Sequence, residues 1–353
     1  MPVENRFLFN FSSSYMGGGL KRLQEYARWF DAHGGAWFTI HPRCANLRTL
    51  FPANRYFVVS RPLYRRVYDD VTYLRDICDA IGCPDLYYAY GIPIHQRVGM
   101  VNWFHLNNLL PVYSLHIPLS LFDRIKFGFL GWQIRRSRHN ADVISAESRF
   151  SLEKMRGYDP GKLFLSVNGS DDELNYTAVS ARPSDEVAVI AGTYSYKALD
   201  DAYRVFEMLR ARNDQLKLAI IGREWYVPRE LRDREGVLVR GQLPREKVVE
   251  YLSRARYYIS TTLIENSYNA ASEGVFLAAE SYVSDIGPHR ELLQSSRHEI
   301  VSVPGVRQPM IHVRRADASP DVLKSWEQVI TDMLARVADV RGSDRPTLAG
   351  SRR

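Results

Sequence analysis

The chain has 353 residues, with 47 Lys and Arg against 40 Asp and Glu, a formal net charge of +7, 45% hydrophobic residues and 12% aromatics. At roughly 150 residues per domain that length sets a prior of two domains, and the ordinary globular composition excludes a disordered, collagen-like or coiled-coil chain. The basic excess favours contact with something anionic, a nucleotide, an anionic lipid or a nucleic acid, without choosing among them.

In chain order, Arg6–Phe11 reads as a short apolar strand and Ser12–Gly19 as a loop. Leu20, Leu23, Tyr26, Ala27 and Phe30 form the stripe of a helix that stops near His33-Gly34-Gly35. Strands follow at Ala36–Ile40 and Arg55–Val59, a helix at Asp69–Ile81, and strands at Asp85–Tyr90 and Val98–Phe104. Pro118–His139 is expected as a helix rich in aromatics and Arg. Ala141–Ser145 is a strand, Ser148–Gly157 a helix, and Leu163–Asn168 a strand running into Asn168-Gly169-Ser170-Asp171. Thr177–Asp185, with Pro183 and no periodicity, is expected as a linker. Strands at Glu186–Ala191, Leu216–Ile221, Val237–Arg240, Tyr257–Thr261 and Ser281–Ser284 then alternate with helices at Asp200–Ala211, Pro244–Ala255 and Asn266–Ala279. Ser319–Val340 reads as a closing helix and Gly342–Arg353 as a disordered tail. This rhythm predicts two doubly wound, Rossmann-like α/β domains over 1–176 and 186–318, a closing helix over 319–341 and a tail over 342–353. In such a pair the ligand sits between the carboxyl ends of the two sheets.

Cys44, Cys78 and Cys83 lack Cys-x-x-Cys spacing, so neither a zinc site nor a disulfide framework is expected. The amino-terminal stretch has no basic segment followed by an apolar one, and no apolar run approaches the 18 or so residues of a membrane span. A cytoplasmic location is therefore the expectation.

Glu265, the turn after it and the helix from Ser267 carry the strongest chemical signal. Ser267 is a plausible N-cap, and Ala270 and Ala271 are small enough for a diphosphate to reach the free backbone N–H groups of a first helical turn. Glu265 precedes that turn and can reach a sugar; Glu273, about two turns in, can accept hydrogen bonds from a ribose diol. By spacing alone, a capped helix with two solvated glutamates fits as well.

Together, Glu265-x7-Glu273, the strand ending in Ser260-Thr261 and the following Ser284-Asp285-Ile286-Gly287-Pro288 resemble the donor site of the retaining family 4 glycosyltransferases. Met16-Gly17-Gly18-Gly19, Ala141–Ser148, Val167–Asp171, Val189–Gly192 with Lys197, and Leu218–Gly222 resemble further segments of that family in the same order, from about Phe7 to Glu291. The resemblance implies a GT-B fold, two such domains facing a central cleft. It implies transfer of a hexosyl group from a nucleoside-diphosphate sugar to a hydroxyl of a saccharide or lipid-linked saccharide. Configuration would be retained by front-face attack. Glu265, His105 and Lys197 would then be catalytic, with His105 near the reacting carbon and Lys197 neutralising the diphosphate. Glu273, Gly18, Gly19, Gly192, Asn269 and Ala270 would bind the donor. The family's Arg after its glycine is absent, since Thr193 and Tyr194 follow Gly192, and Arg223 is the candidate replacement. Ala278-Ala279-Glu280 also departs from the family's Gly-x-Pro. The segment Arg223–Tyr226 is where base contacts are expected. There is no Asp-x-Asp, so no metal and no cofactor beyond the nucleotide-sugar co-substrate is expected. A GT-B scaffold without transfer activity and a sugar-nucleotide epimerase are the alternatives; no recognition module supports a nucleic-acid partner.

Leu121, Phe122, Ile125, Phe129 and Trp132 recur at helical spacing beside Arg124, Lys126, Arg135, Arg136 and Arg138. Such a helix either packs its apolar side on the sheet or lies on an anionic membrane at the inner face. The sequence leaves both open.

Overall fold

The computed structural model describes residues 6–59, 73–113, 117–155, 157–170 and 185–343. Two seven-stranded sheets organise it. The first half runs β1 (Phe7–Phe11), α1 (Gly17–Ala32), β2 (Trp37–Ile40), α2 (Leu47–Leu50), β3 (Arg55–Val58), α3 (73–81), β4 (Leu86–Tyr90), β5 (Val101–Leu106), α4 (Leu121–Ser137), β6 (Val143–Ala146), α5 (Arg149–Lys154) and β7 (Leu163–Leu165). The second runs β8 (Asp185–Ala191), α6 (Leu199–Arg210), β9 (Lys217–Ile221), α7 (Arg229–Arg232), β10 (Val237–Gly241), α8 (Arg245–Arg254), β11 (Ala255–Ser260), α9 (Asn269–Leu277), β12 (Glu280–Ser284), α10 (Gly287–Leu292), β13 (Glu299–Val301), β14 (Met310–Arg314) and α11 (Trp326–Ser343).

The first sheet is parallel throughout, in the order β3-β2-β1-β4-β5-β6-β7. The second, β10-β9-β8-β11-β12-β14-β13, is parallel except that β14 runs antiparallel to both neighbours. Order reverses between β1 and β4 in one sheet and between β8 and β11 in the other, and crevices open at such reversals. Strands covered on both faces bury every residue, and β4 and β5 do so from end to end. One face of the first sheet holds an aromatic core in which Phe9 contacts the rings of Tyr26, Phe30, Phe38 and Tyr88.

The chain passes out of the first sheet after β7 and returns through α11, whose Trp326, Ile330, Met333 and Val337 join the first sheet's core. The two crossings run side by side: Ser170 donates its backbone N–H to Lys324 O at 2.8 Å. Arg22 of α1, fully buried, holds the outward crossing. Its guanidinium donates to Ser166 O, Val167 O, Ser166 Oγ and Asn168 Oδ1 at 2.8–3.2 Å and lies over the Trp326 ring at 5.6 Å.

Several expectations need correction. The three glycines are not loop: Gly17–Gly19 form the first turn of α1, because Gly17 turns the chain at φ +60° and the helix propagates from there. The closing helix begins at Trp326 rather than Ser319, since Pro320 opens a separate 3-10 turn, and it runs on to Ser343, taking Gly342 out of the expected tail. The α9 N-cap is Tyr268, with no side-chain bond, rather than Ser267, so Glu273 lies little more than one turn into the helix. The antiparallel pair β13–β14 was not expected at all. Residues 69–72 of the expected helix, Asp171, the linker over 177–184 with the domain boundary in it, and the tail from 344 lie outside the described residues.

Candidate functional site

Both reversal points open onto one cavity of about 660 Å³. Its first wall is the segment after β1 (Ser13–Gly19), Tyr90 at the end of β4, and Asn107–Leu110 after β5. The facing wall is Tyr194–Tyr196 after β8, Tyr226, Gln242, and Ile264–Asn266 after β11. All of these lie at or beyond the carboxyl ends of strands, the edge where an open α/β sheet binds ligands.

Gly17, Gly18 and Gly19 bring the unpaired N–H groups of the α1 amino end to this cavity, with no acidic side chain in that turn. A Cβ at Gly17 or Gly18 would meet nothing within 4 Å, whereas one at Gly19 would lie 3.0 Å from the Tyr90 ring. On the facing wall the chain turns at Gly192 (φ +98°) into a 3-10 turn that ends at Lys197. Ala198 follows at φ +49°, the one positive-φ residue other than glycine among those described. That conformation costs about 1–2 kcal/mol and is held by the Thr261 hydroxyl, placed 3.0 and 2.9 Å from Lys197 O and Ala198 O. So fixed, the Lys197 ammonium meets the Glu265 carboxylate in a part-buried ion pair. Glu273 forms a similar pair with Arg245 of α8.

The site residues expected from sequence therefore divide. Gly18, Gly19 and Glu265 line the cavity, and Lys197 with Gly192 sits directly behind Glu265. Arg223 reaches the rim: its guanidinium lies over the Tyr194 and Trp225 rings at 6.0 and 5.4 Å, and its Nη2 is 3.0 Å from Met16 Sδ across the cleft. Glu273, Asn269 and Ala270 do not line the cavity. Among the described residues, no cluster of three or more His, Cys, Asp and Glu side chains is placed to hold a metal ion.

His105 needs the largest correction. It is fully buried inside β5 and stacks on Tyr90 with ring centroids 5.0 Å apart, so it does not reach the cavity. The network around it fixes its state. Nε2 faces Glu147 Oε1 at 3.3 Å, and an ionised carboxylate only accepts, so Nε2 is assigned the proton. Nδ1 then accepts from the Ser145 hydroxyl at 2.8 Å, whose oxygen accepts from Trp103 Nε1 at 2.7 Å. Burial, with the Arg22 charge added, pushes the imidazole down to about 4. Burial alone would raise Glu147, but the donors around it and Arg22 hold it below its ordinary value, so the carboxylate is ionised beside a neutral histidine.

Glu147 is the residue that sequence reasoning passed over. It accepts from Tyr90 Oη at 3.0 Å and from Asn266 Nδ2 at 2.9 Å, and Asn266 lies in the other half of the molecule. Asn266 Nδ2 also donates to Leu106 O at 2.9 Å, and the Asn266 backbone carbonyl accepts from Ser151 Oγ at 3.1 Å. Nearby, Glu291 of α10 accepts the Arg149 and Phe150 N–H groups at the start of α5, at 2.8 and 2.7 Å. The available signal was position: Glu147 immediately follows β6, at the carboxyl end of a parallel strand.

No protein-family model and no curated protein sequence matches the chain. Solved structures do. The sucrose-phosphate synthase of Thermosynechococcus elongatus superposes with a TM-score of 0.69 at 13% identity, over 97% of this chain and 100% of that one. HepE of Anabaena, solved with UDP and glucose, gives 0.64 at 13% identity, over 95% and 100%. WaaG, a glycosyltransferase involved in lipopolysaccharide biosynthesis, gives 0.63 at 11% identity, over 97% and 96%. At such identities the likeness establishes the fold, which is GT-B.

Proposed function

We propose that the protein is a retaining glycosyltransferase that moves a hexosyl group from a nucleoside-diphosphate sugar to a hydroxyl of a saccharide or lipid-linked saccharide. The observation that carries the reading is the contact between Lys197 and Glu265 at the cavity, opposite the open N–H groups of Gly17–Gly19. A diphosphate entering there competes for Lys197. Once Lys197 turns to phosphate, Glu265 is freed to accept hydrogen bonds from the sugar hydroxyls. One exchange of partners thus prepares both halves of the donor site.

In the reaction the bond from the anomeric carbon to the diphosphate oxygen breaks, and a bond to the acceptor oxygen forms on the same face. The acceptor proton passes to the departing phosphate. Charge builds on that phosphate, and the Lys197 ammonium, the Arg223 guanidinium and the α1 amides stabilise it without a metal ion. Glu265 orients the sugar. Glu273, outside the cavity, takes the ribose diol in exchange for Arg245 where the nucleotide extends past Glu265 toward α9, the helix that Asn269 and Ala270 open. The base stacks on the exposed rings of Trp225 and Tyr226. His105 holds the cleft wall rather than touching the sugar.

The neighbour solved with UDP makes UDP the first nucleotide to try. Thermal unfolding with UDP, GDP, dTDP, ADP and CDP tests the site. A ligand at 100 times its dissociation constant stabilises by about 2.7 kcal/mol, and the matching nucleotide should do so in the wild type and less in Lys197→Ala. Folded protein with no response to any of the five at millimolar concentration would favour a scaffold role on the same fold.

A further inference from the structure

Helix α4 carries an apolar arc left open to solvent. Leu121, Phe122, Ile125, Phe129 and Trp132 are between 46% and 75% exposed. At 3.6 residues per turn, these five share about 100° of the helix circumference. The opposite side carries Phe127, Leu130 and Ile134, which pack into the first sheet's core. The helix is therefore apolar on two faces, and the fold uses one. Arg124 and Arg135 border the open arc on one side and Lys126 on the other, all exposed. Arg136 lies within it, its guanidinium 5.3 Å from the Trp132 ring centroid. The helix also borders the cleft: Asp123, Lys126 and Phe127 line the 660 Å³ cavity. Just before the helix, Ile117 and Pro118 line a second cavity of about 470 Å³ together with Tyr113 and Leu263.

We propose that the solvent face of α4 docks the protein on an anionic lipid bilayer, the helix lying in the plane of the interface with the cleft beside it. Large apolar side chains framed by cations are the makings of an interfacial helix, and the chain's net charge of +7 adds attraction to anionic headgroups. A second copy of the chain suits the face poorly. Self-contact would set Arg124, Arg135 and Arg136 against their own copies. Five side chains on one helix also fall short of the roughly 20–30 residues a side of a stable interface. Under the transferase reading, on which this last step rests, docking brings a lipid-linked acceptor to the cleft. Docking itself is independent of that reading, and its test does not measure transfer.

The full chain is sedimented with phosphatidylcholine vesicles containing or lacking phosphatidylglycerol. Sedimentation with the phosphatidylglycerol vesicles is expected, falling as salt rises. The triple variant Phe122→Ser, Ile125→Ser, Phe129→Ser should lose it. The triple variant Arg124→Gln, Arg135→Gln, Arg136→Gln should bind on the order of 100-fold more weakly, about fivefold per cation removed. These side chains are exposed, so wild-type melting of both variants confirms that they are folded. Absence of sedimentation by folded wild type, or unchanged binding by the serine variant, overturns the proposal. So does a dimer in light scattering that the serine variant abolishes, which would assign the face to a second copy.

Discussion

The two walls of the cleft are built on different principles. On the first, His105, Glu147, Tyr90 and Ser145 form a buried network closed by hydrogen bonds from Tyr90 Oη, Trp103 Nε1, the Ser145 hydroxyl and His105 Nε2. On the second, the part-buried Lys197–Glu265 ion pair stands at the cavity, with the more open Arg245–Glu273 pair outside it. A buried network makes a rigid wall, because every member that loses its partner is left desolvated and unpaired. A single ion pair with some access to water leaves each charge partly hydrated when its partner moves away, so its exchange costs less than a break in the buried network. Under the proposed function, one wall holds shape and the other takes ligand. The two should fail differently when mutated, the first in stability and the second in binding or turnover.

The largest effect is expected at Glu147. Glu147→Gln removes the carboxylate that Tyr90, His105 and Asn266 share, leaves one of their buried donors without an acceptor, and should destabilise by about 1–3 kcal/mol, read as the unfolding free energy in urea. Loss below 1 kcal/mol would mean that the first wall is not the rigid one. Lys197→Ala should do the reverse. Its stability should stay within about 1 kcal/mol of wild type, while kcat/KM for the nucleotide sugar falls on the order of 10²–10³-fold, the usual result of removing one group that stabilises transition-state charge.

Acid should separate the walls again. Neutral His105 is held at about 4, below the ordinary 6.5 of an imidazole. The unfolded chain therefore binds a proton there that the folded one refuses. The stability concerned is whole above pH 6.5 and is lost as pH falls through about 4. For a shift of this size the loss is on the order of 3 kcal/mol. Buried His289, also pushed to about 4 by burial, acts in the same direction. Unfolding free energies followed from neutral to acid pH should therefore drop more steeply in wild type than in His105→Gln. Parallel curves would contradict the network as drawn. The smallest effect is expected at Arg245: Arg245→Gln takes the guanidinium away from Glu273 and should change nucleotide affinity by less than about tenfold, with folding unaffected.

What was legible in the sequence follows the same division. The parallel strands were readable because runs such as Leu86–Tyr90 and Leu218–Ile221 are continuous and apolar, and polar turns bound them. The edge pair β13–β14 was not, because Glu299–Val301 is three residues long and mostly exposed. Gly17–Gly19 read as loop because glycine opposes helix by propensity, yet the positive φ needed at Gly17 to enter α1 is what glycine supplies. The apolar stripe of α4 was legible, but a stripe does not say whether it faces core or solvent when Phe127, Leu130 and Ile134 supply a second one. In the site, motif register singled out Glu265, Lys197 and the glycines, which lie at or beside the cavity. It also found His105 but not its direction, because a strand buried on both faces offers no alternation from which direction can be read.

The measurement that tests the central claim most directly is the equilibrium affinity of the wild type and Lys197→Ala for the five nucleoside diphosphates, at one fixed salt concentration. The account requires that one nucleotide bind the wild type and that Lys197→Ala bind it at least about tenfold more weakly, since a charge-assisted contact to phosphate is lost. Equal affinity in the two proteins would show that Lys197 stays with Glu265 when the diphosphate binds, and the exchange of partners proposed for the second wall would be wrong.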